Sequence, residues 1–379
     1  MQVAVAKKDL VRLVARCQGV ADKKSTMPVL GNVLLEVVGP DSLRLAATDL
    51  NLAVTGKLPA EVQKGGSIAV GARDLFERVK MMPEGLLTIA TTEGSGATIR
   101  SASAARRYTL HGIPGDEFPQ IPQPDQNATA LSLDVAALST LIARTHFSIS
   151  TDDTRVHLNS ALFEWEGNRV RMVTTDGHRL SKMELSVAGK QASASMLIPL
   201  KGILELRRLA DEAGGEGKGD APESRVIELL QSGPNAFFRL PGLQLSVKLV
   251  DAQFPPYQQV IPRAAERTVV VPRLALVDAL RAVSVAASDR TGGVKLTLTR
   301  GAMRFASESP DSGEGFDEIA VDYDGSEVTI GFNARYFLDV LGSLDDERVT
   351  IGIGGELDPV VTRPDGSSDY LAVIMPMRI

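Results

Sequence analysis

Five consecutive residues, Thr175-Asp176-Gly177-His178-Arg179, hold the densest polar chemistry in the chain. A carboxylate two positions from an imidazole is raw material for general acid–base catalysis, provided a nucleophile, an oxyanion donor or a metal completes the set. No motif elsewhere completes it: there is no phosphate-binding Gly-rich loop, no G-x-S-x-G and no H-E-x-x-H. The four histidines, His111, His146, His157 and His178, lack the spacing of metal ligands. The same residue types have a second use. Asp176 can cap a turn and Gly177 can take φ > 0, which leaves His178 and Arg179 to tie down a loop or line a binding surface. The reading adopted is this second one, with no catalytic residue, no metal and no cofactor. An enzyme using Asp176 and His178 is the competing class; a His178→Ala variant that lost turnover while keeping partner binding would mark it.

The C-terminal run Val373–Ile379 (VIMPMRI) is the other candidate, because it stays apolar to its last residue where chain ends are usually polar and frayed. Pro376 prevents the whole run from being strand, and methionines form adaptable surface for varied apolar peptides. It reads as part core strand and part peptide groove.

The elements that position these residues come from a repeat. Leu158–Leu180 reads as strand, Gly-Asn turn, strand and polar corner, with Val170, Met172 and Thr174 in period-two alternation. A weaker copy leads to Thr48-Asp49. Amphipathic helix patterns recur at Leu10–Cys17, Leu138–Thr145 and Leu276–Val283, each after a short β-like run and each followed by a strand pair. Second helices follow at Ala72–Met82, Leu200–Ala213 and Asn333–Leu344. Tyr108/Tyr370 and Pro114/Pro376 close the first and third copies at one spacing. The unit, of about 125 residues, is too long for a solenoid repeat, so the chain is α+β: three repeated two-layer domains, each a helix pair on antiparallel sheet. The joins Phe118–Thr129 and Phe254–Arg267 have linker composition, giving domains at 1–124, 125–262 and 263–379. Gly214–Pro222 reads as a flexible loop and Ser307–Gly315 as an acidic one.

Bulk properties narrow the class. Of 379 residues, 44% are hydrophobic and only 4% aromatic, so the cores rest on aliphatic side chains. A single cysteine, Cys17, excludes intrachain disulfides and fits a reducing cytoplasm. No signal pattern opens the chain, and no apolar run reaches the roughly 18 residues of a membrane span. The net charge of −6 argues against a nucleic-acid binder until the charges are placed. Lys7, Lys8, Arg12, Arg16, Arg73, Arg78, Lys80, Arg144, Lys201, Arg207, Arg208, Arg273, Arg281 and Arg335 all fall on helix patterns. Their acidic neighbours are fewer. A basic helical face repeated three times on an acidic body suits sequence-independent phosphate contact.

TTDGHRL, FPPYQQVIP, MPVLGNVLLE (Met27–Glu36), ATDLNLAV (Ala47–Val54) and the terminal VIMPMRI together resemble the bacterial DNA polymerase III beta subunit, the sliding clamp. The resemblance runs from the first helix to the last residue. It implies a head-to-tail homodimer closed into a ring around duplex DNA, cytoplasmic and nucleoid-associated, with no activity of its own. Its partners would be the polymerase alpha subunit, the clamp loader, repair polymerases, and ligase or mismatch-repair proteins, bound through clamp-binding motifs.

The family's peptide groove carries over onto Leu158, Thr175, Gly177, His178, Arg179, Leu180, Pro255, Val260, Asn333, Tyr336, Val373, Met375, Pro376, Met377 and Arg378. In that reading the apolar members receive Leu or Phe side chains, while His178, Arg179 and Arg378 orient polar groups. Lys24, Arg73 and Lys201 are the DNA candidates, with Arg155 a further one. At the subunit interface Tyr108 should meet Val285 and Ala286, with Arg106 and Arg107 opposite Glu308, Asp311 or Glu314. Departures from a well-known member stand at Thr291 and Gly292 (one groove wall thinner), Gln259 (an arginine lost at the rim), Val156-His157 (a tyrosine pair lost) and Ala286 (smaller than a leucine). A duplicate clamp kept for inhibitor resistance is the alternative within the family.

Overall fold

The structure, a computed structural model, describes residues 1–92, 94–126, 128, 130–215, 226–288, 292–310 and 313–378. Six α-helices lie among them: α1 (Lys7–Val20), α2 (Ala72–Lys80), α3 (Val135–Thr145), α4 (Leu200–Gly215), α5 (Arg273–Ser284) and α6 (Ala334–Gly342). α1, α3 and α5 each begin directly after a short strand, at Gln2–Ala6, Ala130–Asp134 and Arg267–Pro272. Each helix buries one stripe at helical spacing, for example Leu10, Leu13, Val14, Cys17 and Val20 on α1 and Leu276, Val277, Leu280 and Val283 on α5. α1 packs on α2 and on strands Ser42–Thr48 and Leu52–Pro59. The approach is close: a Cβ on Gly56 would stand 2.2 Å from Leu13 Cδ1, so any side chain there would force Leu13 to move. α5 packs likewise on α6 and on strands Ala302–Ser309 and Gly313–Ala320.

The chain forms two compact units, Met1–Val135 with Gly219–Leu249, and Ala136–Lys218 with Val250–Ile379, so the second repeat contributes to both. The sheets show why. In the first unit a 13-stranded sheet runs on from the first repeat into the second, joined where Leu243–Lys248 pairs antiparallel with Leu52–Pro59, Leu243 opposite Gly56 and Val247 opposite Leu52. In the second unit a six-stranded sheet is joined in the same manner, Arg179 opposite Ile374 and Met183 opposite Tyr370. A four-stranded sheet completes that unit, with Gly313–Ala320 at one edge. Pairing backbone across repeat boundaries removes sheet edges that separate domains would leave open.

Three local expectations change. The segment Ser307–Gly315 is mainly strand, with Ser307 paired to Gly315 and Glu308 to Glu314; Asp311 lies outside the described residues. Alternation in G-E-G-F-D-E-I-A outweighs its turn-like composition. α4 runs on through Gly215, and residues 216–222 of the expected loop are outside the described residues. Both proline-rich joins are anchored. Phe118 is buried with Leu34, Ala46 and Ala69, and Phe254 and Tyr257 are buried with Leu162, Val173 and Leu197. Apolar anchors at the head of each join override its linker composition, though Asn127 and Thr129 are not described.

Candidate peptide groove and nucleic-acid surface

The polar corner is a closed hydrogen-bond set. Thr175 Oγ1 donates to the Arg179 carbonyl (2.6 Å) and accepts from the Gly177 N–H (3.1 Å). Asp176 Oδ1 accepts the N–H groups of His178 (2.9 Å) and Arg179 (3.0 Å). Gly177 takes φ +93°, a conformation that side-chain-bearing residues enter with strain. The copy at Thr48 repeats every bond: Thr48 Oγ1 donates to Leu52 O (2.8 Å), Leu50 N–H to Thr48 Oγ1 (2.9 Å), and Asn51 and Leu52 N–H to Asp49 Oδ1 (2.9 and 2.6 Å). What differs is the side chains. Leu52 and Asn51 stand where the second corner has Arg179 and His178.

Those two side chains, with α6, build the site. Arg179, only 10% exposed, is gripped from several sides. Its Nε donates to Asp176 Oδ2 (3.0 Å), one terminal nitrogen to Asp339 Oδ2 (2.5 Å) and the other to the Phe147 carbonyl. Its guanidinium lies 4.7 Å from the Tyr336 ring centre, and the His178 ring stacks on the same tyrosine with an interplanar angle of 16°. Burial, then the charge of Asp176, pushes the Tyr336 phenol above its ordinary value. Asn333 caps α6, its side chain accepting from the Arg335 N–H (2.9 Å).

The C-terminal segment continues this wall. Strand Tyr370–Ile374 ends beside the corner, Met375 N–H donates to His178 O (2.9 Å) and Met377 N–H to Gly331 O (2.8 Å). Leu158, Leu180 and Val373 are buried as a floor, while Val260 (44%) and Met375 (36%) stay exposed for apolar residues. Pro255, Pro376 and Met377 are half-buried and Arg378 is exposed. The expected site residues from the corner, α6 and the terminal strand are therefore neighbours. Sequence reasoning missed Asp339 and Phe147. A carboxylate six residues beyond the α6 cap was a visible signal; a carbonyl gives none. Gly292 sits at φ +59°, and a Cβ on it would stand 3.0 Å from Asn333 Oδ1, so the backbone itself asks for glycine. Thr291 lies outside the described residues.

Residues 1–122, 132–256 and 258–378 match, in order, the N-terminal, central and C-terminal domain models of the DNA polymerase III beta subunit. The beta sliding clamp of Pseudomonas putida is 32% identical over 382 residues, covering all of both chains. The chain belongs to the beta sliding clamp family. The beta sliding clamp of Escherichia coli K12 is 29% identical, again over the whole of both chains. Among solved structures, the DNA polymerase III beta subunit of Pseudomonas aeruginosa superimposes with a TM-score of 0.91 at 30% identity, both chains fully covered. That of Thermotoga maritima gives 0.89 at 28% identity, covering 100% of this chain and 99% of its own.

For a member of the clamp family the cations matter next. Lys24, Arg73 and Lys201 are exposed; Arg73 and Lys201 lie in the first turns of α2 and α4. Many helix cations have carboxylate partners, among them Lys7–Glu84 (2.8 Å), Arg73–Glu77 (2.6 Å), Arg78–Asp74 (3.4 Å), Arg144–Asp346 (3.4 Å) and Arg208–Glu212 (2.6 Å). The basic excess read from the helices alone is thus reduced by loop and neighbouring acids. Arg155 differs from the other candidates: it donates to the Asp176 carbonyl (3.3 Å) and lies against the Gly177 corner. His146, after α3, accepts at Nε2 from Arg207 (2.7 Å), with Nδ1 against the Ile142 carbonyl (3.0 Å). Burial, then the Arg207 charge, holds its imidazole below the ordinary value.

At the other candidate surface Arg106 and Arg107 are exposed and Tyr108 is half-buried. Val285 is 82% exposed, while Ala286 is covered by its own chain, its Cβ close to Gly315. Phe316, missed at the sequence level, is 67% exposed on the edge strand Gly313–Ala320; a lone aromatic in an acidic alternating strand was its signal. No helix of the described residues is long and apolar enough to cross a membrane.

Proposed function

We propose that the chain works as a non-catalytic processivity factor: two copies close head to tail around duplex DNA and tether a polymerase through the corner groove. The observation that carries this reading is full-length similarity to clamp structures, joined to a groove whose central Arg179 is held by Asp176 and Asp339. Arg179 and Asp176 satisfy each other, so the corner offers stacked aromatic and apolar surface and no reactive pair. The proposed occupants are short apolar clamp-binding motifs of the polymerase alpha subunit, clamp loader and repair proteins, acting in the cytoplasm. Tethering raises effective concentration without tight DNA binding.

For DNA, the support is the repeated placement of exposed cations in first helical turns: Lys8 on α1, Arg73 on α2, Lys201 on α4 and Arg335 on α6. A cation there opposes the helix dipole by about 0.3–1 kcal/mol, and that cost becomes a gain when a phosphate arrives. The exposed Arg73–Glu77 pair is screened by water, so a phosphate can displace Glu77. For the dimer, Glu308 faces Glu314 directly across a strand pair, an unfavourable juxtaposition that Arg106 and Arg107 of a second copy would relieve. Val285 and Phe316 supply apolar area beside it.

The test is primed synthesis on circular single-stranded DNA with the cognate polymerase and an active loader. Full-length protein should give long products, and a chain truncated after Ile374 short ones. No gain in product length from the full chain would remove the replicative role. Equal lengths from both chains would remove the groove assignment.

A further inference from the structure

One kind of strand pair joins repeat to repeat at two places. Leu52 stands opposite Val247 and Gly56 opposite Leu243; at the second junction Arg179 stands opposite Ile374 and Met183 opposite Tyr370. Leu52 and Arg179 hold the same place in their Thr-Asp corners, so Leu243 and Tyr370 are equivalent. The shared spacing of Tyr108 and Tyr370 to their prolines extends that equivalence to Tyr108. Among the described residues, two strand edges of this kind are open. Gly313–Ala320 is the edge of its sheet. Residues 107–111 are paired on one side only, with residues 96–100, because Ser67–Gly71 reaches no further than Gly112.

Pairings inside the sheets set the register in which these edges would meet. From strand to strand the first repeat runs Ala69, Leu34, Ala46, Thr55 and then Gln244. The third repeat runs Gly331, Lys295, Ala306 and Phe316, where the sheet ends. Each row starts three residues before its helix, α2 or α6. Phe316 is therefore the counterpart of Thr55, and the residue it would meet is the counterpart of Gln244, which is Thr109. Exposure agrees with this register. Residues directly opposite in an antiparallel pair share a face, and here Thr109 and Phe316 are both exposed while Tyr108 and Asp317 are both half-buried. A slip of one residue would break the match.

The register puts Arg107 of one copy opposite Glu318 of the other, which its own Arg304 already holds (2.5 Å), and His111 opposite Glu314. Glu314 has Glu308 directly across on its other side, so the row reads carboxylate, carboxylate, imidazole over three strands, all three exposed. In its own subunit His111 faces Gly96 across the strand pair, with Thr109 and Arg107 along the same face. Arg106 and Arg107 act on the two glutamates from further off. We propose that His111 of one copy and Glu308 with Glu314 of the other form a pH-sensitive clasp at the dimer seam, an inference that rests on the head-to-tail dimer proposed above. Like charges directly across a strand pair repel, and a neutral imidazole leaves that repulsion in place. An imidazolium beside them offsets it. Association then takes up a proton, and the seam tightens as pH falls through the imidazole range, about 6.5.

The experiment is fluorescence-detected sedimentation of the full chain between about pH 8 and about pH 6, the interval in which imidazole changes charge. The dimer dissociation constant should fall about tenfold on acidification. That is about threefold at each of the two seams of a head-to-tail dimer, the worth of one exposed cross-strand pair of opposite charge. His111→Gln should remove the dependence and hold the constant near its alkaline value. His111→Arg, a permanent cation, should hold it near its acidic value at both ends. Glu314→Gln, which abolishes the like-charge pair, should tighten the dimer at the alkaline end and weaken the pH dependence. A dimer whose dissociation constant is flat across the interval, or equally pH-dependent in His111→Gln, overturns the clasp and leaves the ring standing. A chain that stays monomeric at both ends, at micromolar concentration, overturns the ring reading and the clasp with it.

Discussion

Replacing Asp339 by Ala tests whether the groove depends on how Arg179 is held. Asp339 Oδ2 accepts a charge-assisted bond of 2.5 Å from a guanidinium that is 10% exposed, so water cannot fully replace it. Hydrogen bonds to charged groups contribute about 1.5–3 kcal/mol. Asp176 and the Phe147 carbonyl still hold Arg179 in the variant, which places the expected loss near the low end, about 1.5 kcal/mol. The loss falls on one geometry: Arg179 slides over the Tyr336 ring, and Tyr336 no longer holds the His178 ring parallel. A pentapeptide with Leu and Phe anchors, followed by fluorescence anisotropy, should bind about tenfold more weakly, the equivalent of that energy. Thermal unfolding of the same variant reports how much of the cost is global. A peptide Kd within twofold of the parent would refute the reasoning, because the groove would then be shown not to depend on the Asp339 contact to Arg179.

Gly177→Ala should cost about 1–2 kcal/mol, since φ is +93° and the new methyl would meet the Arg155 guanidinium at 3.1 Å; chemical denaturation and peptide binding should both register it. Arg73→Ala and Lys201→Ala should each flatten the dependence of log K on log salt for duplex DNA by about one unit if each side chain meets one phosphate, read by anisotropy across a salt series. Phe316→Ser and Val285→Ser should raise the dimer dissociation constant by about tenfold each, given about 1–2 kcal/mol of apolar burial per side chain, checked by analytical ultracentrifugation. For pH, the folded His146 titrates below its ordinary 6.5, so the unfolded chain takes up a proton first as pH falls. Stability should therefore decline from about pH 7 downward through 6.5 and level off below the folded value, and His146→Gln should remove that component from a series of melting temperatures.

The repeat, the six helices and the corner were legible in the sequence because each rests on local physics. Helical stripes such as Leu10, Leu13, Val14 and Cys17 are set by 3.6-residue periodicity, and the Thr175 and Thr48 corners by hydrogen bonds that span four residues at most. Composition misled where a few apolar anchors outweighed many polar neighbours, as at Phe118 and at Phe254 with Tyr257, and where an acidic segment became the edge strand carrying Phe316.

What only the tertiary structure decided was pairing over long separations. The union of Leu52–Pro59 with Leu243–Lys248 and of Arg179–Met183 with Tyr370–Ile374 depends on backbone groups that are identical at every residue, so no local pattern announces it. The same holds for Asp339 and the Phe147 carbonyl closing on Arg179. Each is a property of distance in space between residues far apart in the chain, and sequence alone fixes only which residues are available to meet.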